Sequence, residues 1–89
     1  TLINSTADKA GAWHLRGEIE FLRGRYPTAI RSFTSAMDNA ARSKQPELRL
    51  LAGEHRVQAY LLAQDNAEAL QDAIALQEQF PKAVMPKFT

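Results

Sequence analysis

The sequence predicts an all-α fold of two antiparallel helical hairpins, four helices in all, and three observations predict it. Ala, Leu, Gln and Arg are plentiful over the 89 residues while β-branched residues are few, which is a helical composition. Gly24, Pro27, Pro46 and Pro81 fall where the apolar periodicity breaks. Small and large residues alternate at helical spacing. Trp13 sits one turn before Gly17, and Ala29 and Ala36 flank Phe33, so one helix can approach another closely over the glycine.

The first helix is expected from about Thr6 to Arg23. Ser5 or Thr6 serves as N-cap, Asp8 lies in the first turn and Gly24 is the stop. It carries two apolar stripes, one of Ala10, Trp13, Gly17 and Phe21 and one of Leu15, Ile19 and Leu22, the pattern of a helix sandwiched between neighbours. The second runs from Pro27, whose missing N–H is harmless in a first turn, to about Ser43, and buries Ala29, Ile30, Phe33, Ala36, Met37 and Ala40. Pro46 opens the third, which reaches about Ala63 through Leu48, Leu51, Ala52, Val57, Tyr60, Leu61 and Leu62. Asp65 and Glu68 form a capping box for the fourth, Asn66 to Gln79, which buries Leu70, Ala73, Ile74, Leu76 and Phe80 before Pro81 ends it. The tail 82–89 is apolar at Val84, Met85 and Phe88 and too short to form a further hairpin.

Taken together, Trp13, Gly17, Gly24, Tyr26, Ala29, Phe33 and Ala36 resemble the signature of the tetratricopeptide repeat, W-x2-L-G-x2-Y followed by A-x3-F and a closing Pro. Arg16, Glu20 and Ala41 stand where that pattern has Leu, Tyr and Pro. A weaker second unit follows: Asp65 to Leu70 repeats the turn and the small–aliphatic pair Ala29-Ile30, Tyr60 supplies the tyrosine, and Pro81 the proline. Gly53, Arg56, Val57 and Ala73 replace the remaining signature residues. Ala29 and Ala69 are 40 residues apart, against a usual period of about 34. The excess is expected between the units, around Asn39 to Gln45, as a longer helix or loop. The resemblance implies a right-handed solenoid, with repeat one at about 10–43, repeat two at about 46–81, and a tail or further helix start at 82–89. Because about three repeats are usual for a stable solenoid, it also implies a fragment of a longer array. The start at Thr1 without Met agrees with that expectation.

Composition bounds the chemistry. With no cysteine there is neither a disulfide framework nor a thiolate metal site. No apolar run approaches the roughly 20 residues that span a bilayer, so direct membrane insertion is not expected. A net charge of +1 gives no reason to bind nucleic acid. Up to Lys44 there are seven Lys/Arg against four Asp/Glu, and after it four against six, an asymmetry that suits ordinary solvated surface or head-to-tail stacking of complementary ends. No nucleophile–base set and no phosphate-cradling glycine loop is present, so catalysis and cofactors are not expected. His14, His55 and Glu18, with Glu54 as a further donor, can be drawn as a two-histidine, one-carboxylate metal site. No pair of histidines shares one helix face to require it, and no metal is expected from the sequence.

What remains is a surface. The resemblance implies a concave groove lined by the first helix of each repeat, holding an extended peptide or a partner's helix. Carried onto this chain, the groove residues are His14, Leu15, Glu18, Phe21 and Leu22 from the first unit, and Leu51, Glu54, His55, Gln58, Leu61 and Leu62 from the second. The leucines and Phe21 read equally well as inter-repeat core. Relatives that clamp a chaperone's C-terminal carboxylate use Lys and Asn on these helices. His14, Glu18 and His55 stand there instead, and the expected partner is a neutral or partly basic peptide with apolar anchors. A non-catalytic protein-binding scaffold is therefore the leading expectation. The rivals are a self-association element stacking through open repeat ends and an accessory domain of an enzyme whose catalytic part lies elsewhere. Similar Ala- and Gln-rich repeats in bacterial envelope proteins leave cytoplasm and periplasm both open.

Overall fold

The computed structural model describes residues 6–80, with side chains from Lys9 onward. Four helices follow in order: α1 (Thr6–Leu22), α2 (Tyr26–Arg42), α3 (Pro46–Leu62) and α4 (Asn66–Gln79). The described residues contain no strand. Each helix packs on the next in sequence, and α1 also touches α3. The expected N-cap at Ser5 or Thr6, the closing Pro81 and the tail 82–89 lie outside the described residues.

The helix starts follow local chemistry. Pro27 and Pro46 occupy first-turn positions, where no backbone donor is lost. Asp65 caps α4 by accepting a hydrogen bond from the Glu68 N–H at 3.4 Å, one half of the expected capping box. The helix ends share one device. After α1, the Gly24 N–H donates to the Phe21 carbonyl and the Arg25 N–H to the Glu20 carbonyl. Lys44 with Gln45, and Gln64 with Asp65, repeat the two bonds after α2 and α3. Such a close requires a left-handed residue, and φ is +78° at Gly24, +57° at Lys44 and +65° at Gln64. For the two residues bearing a Cβ, that conformation costs roughly 1–2 kcal/mol each.

Of the two expected sources of the long period, a longer helix or a loop around Asn39 to Gln45, the structure has the longer helix, and it spreads the excess over the helices rather than that segment alone. The segment 39–45 holds no extended loop; it is the end of α2 and a short turn. α1, α2 and α3 are 17 residues each, and the connections 23–25, 43–45 and 63–65 are all equally short. The 40-residue spacing comes from uniformly long helices rather than from an insertion between the units.

The core is thin and rich in alanine. Ala36, Met37, Ala52 and Leu76 form one buried cluster, with Trp13, Leu50, Val57 and Phe80 packed against it. Ala29, Phe33 and Ala59 form another, bordered by Phe21 and Ile30. α2 buries what was expected of it except Ile30, which is half-buried, and adds Ser32. The second apolar stripe of α1 is not sandwiched: Leu15, Ile19 and Leu22 are exposed, Leu22 at 83%. Leu51, Leu61, Leu62, Leu70 and Ile74 are exposed as well, so α4 keeps only part of its expected core. The cause is topological. Among the described residues the backbone of α4 lies beside α3 alone and α4 reaches α2 through Leu76, which leaves its outer side and the adjoining end of α3 uncovered.

Two polar ties cross the helices. Glu20, where the tetratricopeptide pattern has Tyr, accepts a 2.7 Å hydrogen bond from the Ser32 hydroxyl of α2 and a 3.3 Å bond from Arg16 one turn earlier. Arg56 of α3 grips Asp72 of α4 through Nε and Nη2, both at 2.6 Å, and donates from Nη1 to the Thr34 hydroxyl of α2 at 3.0 Å. A bidentate guanidinium–carboxylate pair is directional, so it sets the register of α4 on α3 where apolar packing there is sparse.

Candidate functional site

The site begins at Gly17. Its missing side chain lets the Phe33 ring of α2 lie against the backbone of α1, where an added Cβ would stand 2.6 Å from ring carbons. Phe33, 1% exposed, then backs two imidazoles. His14 of α1 lies at 5.9 Å between ring centres and His55 of α3 at 5.6 Å, both tilted by 48°. The two histidines meet each other with His14 Nε2 at 3.0 Å from His55 Nδ1 and their planes 8° apart. That short N···N distance takes up most of the 5.1 Å between ring centres, so the rings touch edge to edge rather than face to face. One nitrogen donates and the other accepts, and a doubly protonated pair would set two N–H donors against each other. Glu18 adds a carboxylate with oxygens 3.9 Å from His14 Nδ1 and 4.0 Å from His55 Nδ1.

Burial chiefly holds the His14 pKa below its ordinary value. The Glu18 carboxylate opposes that shift, and His55 adds to it. From α2, the group facing this ring is the uncharged Phe33. An unfolded His14 therefore binds its proton near pH 6.5, and the folded one only at lower pH. Between the two values the unfolded state holds more protons, so stability rises with pH through that window. Urea melts from pH 8 down to pH 5 should show stability constant at the alkaline end, falling below about pH 6.5 and levelling off beneath the folded-state value. His14→Leu should flatten this slope; a variant that keeps the full slope would locate its source elsewhere.

Over this cluster the surface is hollow. A depression of about 210 Å³ is lined by Glu18, Phe21, Leu22, Phe33, His55 and Gln58. Beside it lies a second of about 400 Å³, lined by Glu54, His55, Val57, Gln58, Ala73 and Leu76. They share His55 and Gln58 as a common border, so the two hollows adjoin across α3 as a divided trough running from α1 to α4. Apolar side chains predominate among the lining residues, and the carboxylates come from Glu18 and Glu54. The volumes are on the scale of small-molecule or side-chain pockets, a few hundred Å³.

The structure thus brings together six of the expected groove residues, Glu18, Phe21, Leu22, Glu54, His55 and Gln58. His14 lies beneath the trough, buried at 8% exposure. Leu15 turns away and lines a separate hollow with Ile19, Arg16 and Glu20. Leu51 is exposed but lines neither depression. Leu61 and Leu62 are exposed beyond the trough. Phe33, Val57, Ala73 and Leu76 line it without having been expected to: Phe33, Ala73 and Leu76 lie on the second helices of the hairpins, which were read as core, and Val57 was read as an apolar position of α3. The alanine at position 73, where the repeat pattern has Phe, was the available signal for open space beside α4. Among the described residues no helix is long and apolar enough to cross a membrane. Compared with known proteins, the chain matches no family model, and no curated protein or solved structure matches it significantly.

Proposed function

We propose that this chain is a tetratricopeptide-like, non-catalytic binding module, a right-handed stack of two hairpins whose trough takes an extended peptide or a partner's helix. The observation that carries this reading is the pair of hollows adjoining at His55 and Gln58, with apolar walls from Phe21, Leu22, Val57 and Leu76 and carboxylates at Glu18 and Glu54. Apolar walls hold anchors of a bound segment, while flanking carboxylates steer and select charge. The favoured partner is a neutral or partly basic protein segment with apolar anchors. Nothing in this mode calls for nucleic acid, cofactor or catalysis.

The test is a panel of labelled peptides, apolar-anchored and either basic or acidic, measured by fluorescence anisotropy. Glu18→Lys with Glu54→Lys should weaken the basic set by about tenfold or more, which is ~1.4 kcal/mol, and strengthen the acidic set. Both carboxylates are at least partly exposed, so the melting temperature should stay within about 3 °C. Unfolding of the double variant, or unchanged selectivity, would defeat the reading.

A second reading rests on a different observation. Leu61, Leu62, Leu70 and Ile74 are between 47% and 62% exposed at the uncovered end of α3 and α4. Self-association through that end would bury them. Light scattering over a hundredfold concentration range then separates the readings: constant monomer mass favours the trough, and growing mass favours stacking.

A further inference from the structure

We infer that His14, Glu18 and His55 form a binding site for one divalent transition-metal ion, with Zn²⁺ the best-suited occupant. One donor atom from each of the three lies within 4.8 Å of the others. Donors around a tetrahedral zinc at about 2.0–2.1 Å are roughly 3.3 Å apart, and the two imidazoles already stand at 3.0 Å. Glu18 is further away, 4.0 Å from the same His55 Nδ1 and 3.9 Å from Nδ1 of His14, the ring nitrogen that does not meet His55, but its side chain is 42% exposed and free to rotate toward an ion between the imidazoles. The two facing nitrogens point at each other in the ion-free arrangement, so each ring must turn by roughly 35° to aim its lone pair at one tetrahedral ion.

The donor chemistry is selective. Two imidazole nitrogens and one carboxylate suit zinc, and also copper, nickel or ferrous iron, far better than the oxygen-seeking calcium or magnesium. Zinc has no geometric preference of its own from d-electrons, so a site set by helix packing accommodates it readily. Phe33 packs against both rings from behind and keeps the two imidazoles together on one side of the ring pair. Three protein ligands leave a fourth position, and Glu18 and His55 both border the 210 Å³ depression. Water or a donor atom from a bound segment fills it. The ion would also fasten α1 to α3, two helices that are not consecutive in the chain.

The site stands on its own geometry and does not rest on peptide binding in the trough, so either reading can fail without the other. The test titrates the chelator-treated chain with zinc chloride by calorimetry, with cobalt(II) absorbance as a second readout of coordination geometry. One ion per chain is expected, with an intense visible cobalt band of a four- or five-coordinate site. At a hundredfold excess over Kd, zinc should raise the melting temperature by about 10 °C or more. His55→Gln should weaken zinc at least a hundredfold and Glu18→Gln at least tenfold; circular dichroism of both confirms that they remain folded. Glu18→Gln, at a half-exposed position, keeps the test decisive should His55→Gln unfold. Absence of binding, or zinc binding that neither substitution weakens, would overturn the inference.

Discussion

Gly17→Leu is expected to cost this domain about 3 kcal/mol, the upper end of what overpacking a core usually costs. Even the first added carbon would stand 2.6 Å from Cδ1 and Cε1 of Phe33 and 3.1 Å from Cζ. Phe33 cannot retreat: it is 1% exposed, clustered with Ala29 and Ala59, and pressed by both histidines. Replacing a helical glycine returns up to about 1 kcal/mol of propensity, which the clash exceeds. A fall in melting temperature of roughly 10–20 °C should follow for a domain of this size. Gly53→Ala is the informative control. Its Cβ also meets an atom at 2.6 Å, but that atom is Cδ2 of Leu76, the tip of a flexible side chain, so the net change should stay within about 1 kcal/mol. Equal losses at Gly17→Ala and Gly53→Ala would mean that Phe33 is not the rigid element described here.

Arg56→Ala should be the next largest loss, about 2–3 kcal/mol by urea denaturation. The guanidinium and the Asp72 carboxylate are only 18% and 16% exposed, so removing one partner strands the other in poorly solvated surroundings. The remaining solvent access keeps the figure below that of a fully buried pair. Arg56→Met combined with Asp72→Leu should recover much of the loss, because apolar residues of similar size replace both desolvated charges. A double variant no better than Arg56→Ala would show that the bond to Thr34, rather than the ion pair, holds these helices together.

Helix positions were legible because their signals are local. Pro27, Pro46 and Asp65 mark starts through the chemistry of the first turn alone, and α4 spans the expected Asn66–Gln79. Only one of the three turns was equally plain. Gly24 advertises a left-handed close, while Lys44 and Gln64 adopt it without any glycine to announce it, yet the ends expected at about Ser43 and Ala63 fall next to the observed Arg42 and Leu62, because Pro46 and Asp65 mark the following starts.

Burial was legible only where both partners of a contact were. The small–large series Gly17, Ala29, Phe33 and Ala36 encodes a helix pair and its close approach, and that pair formed. Leu15, Ile19 and Leu22 have the same periodicity but no described element lies over them; a stripe records which side of a helix is apolar, never whether something covers it.

The sequence by itself determined the all-α class, the places where the helices begin and the packing of Phe33 over Gly17, since each depends on neighbours within a few residues or on one hairpin. Tertiary structure alone decided the meeting of His14 with His55, 41 residues apart, and the grip of Arg56 on Asp72. Both depend on the register with which one helix lies against another, and the many weak contacts that set that register leave no mark at any single position.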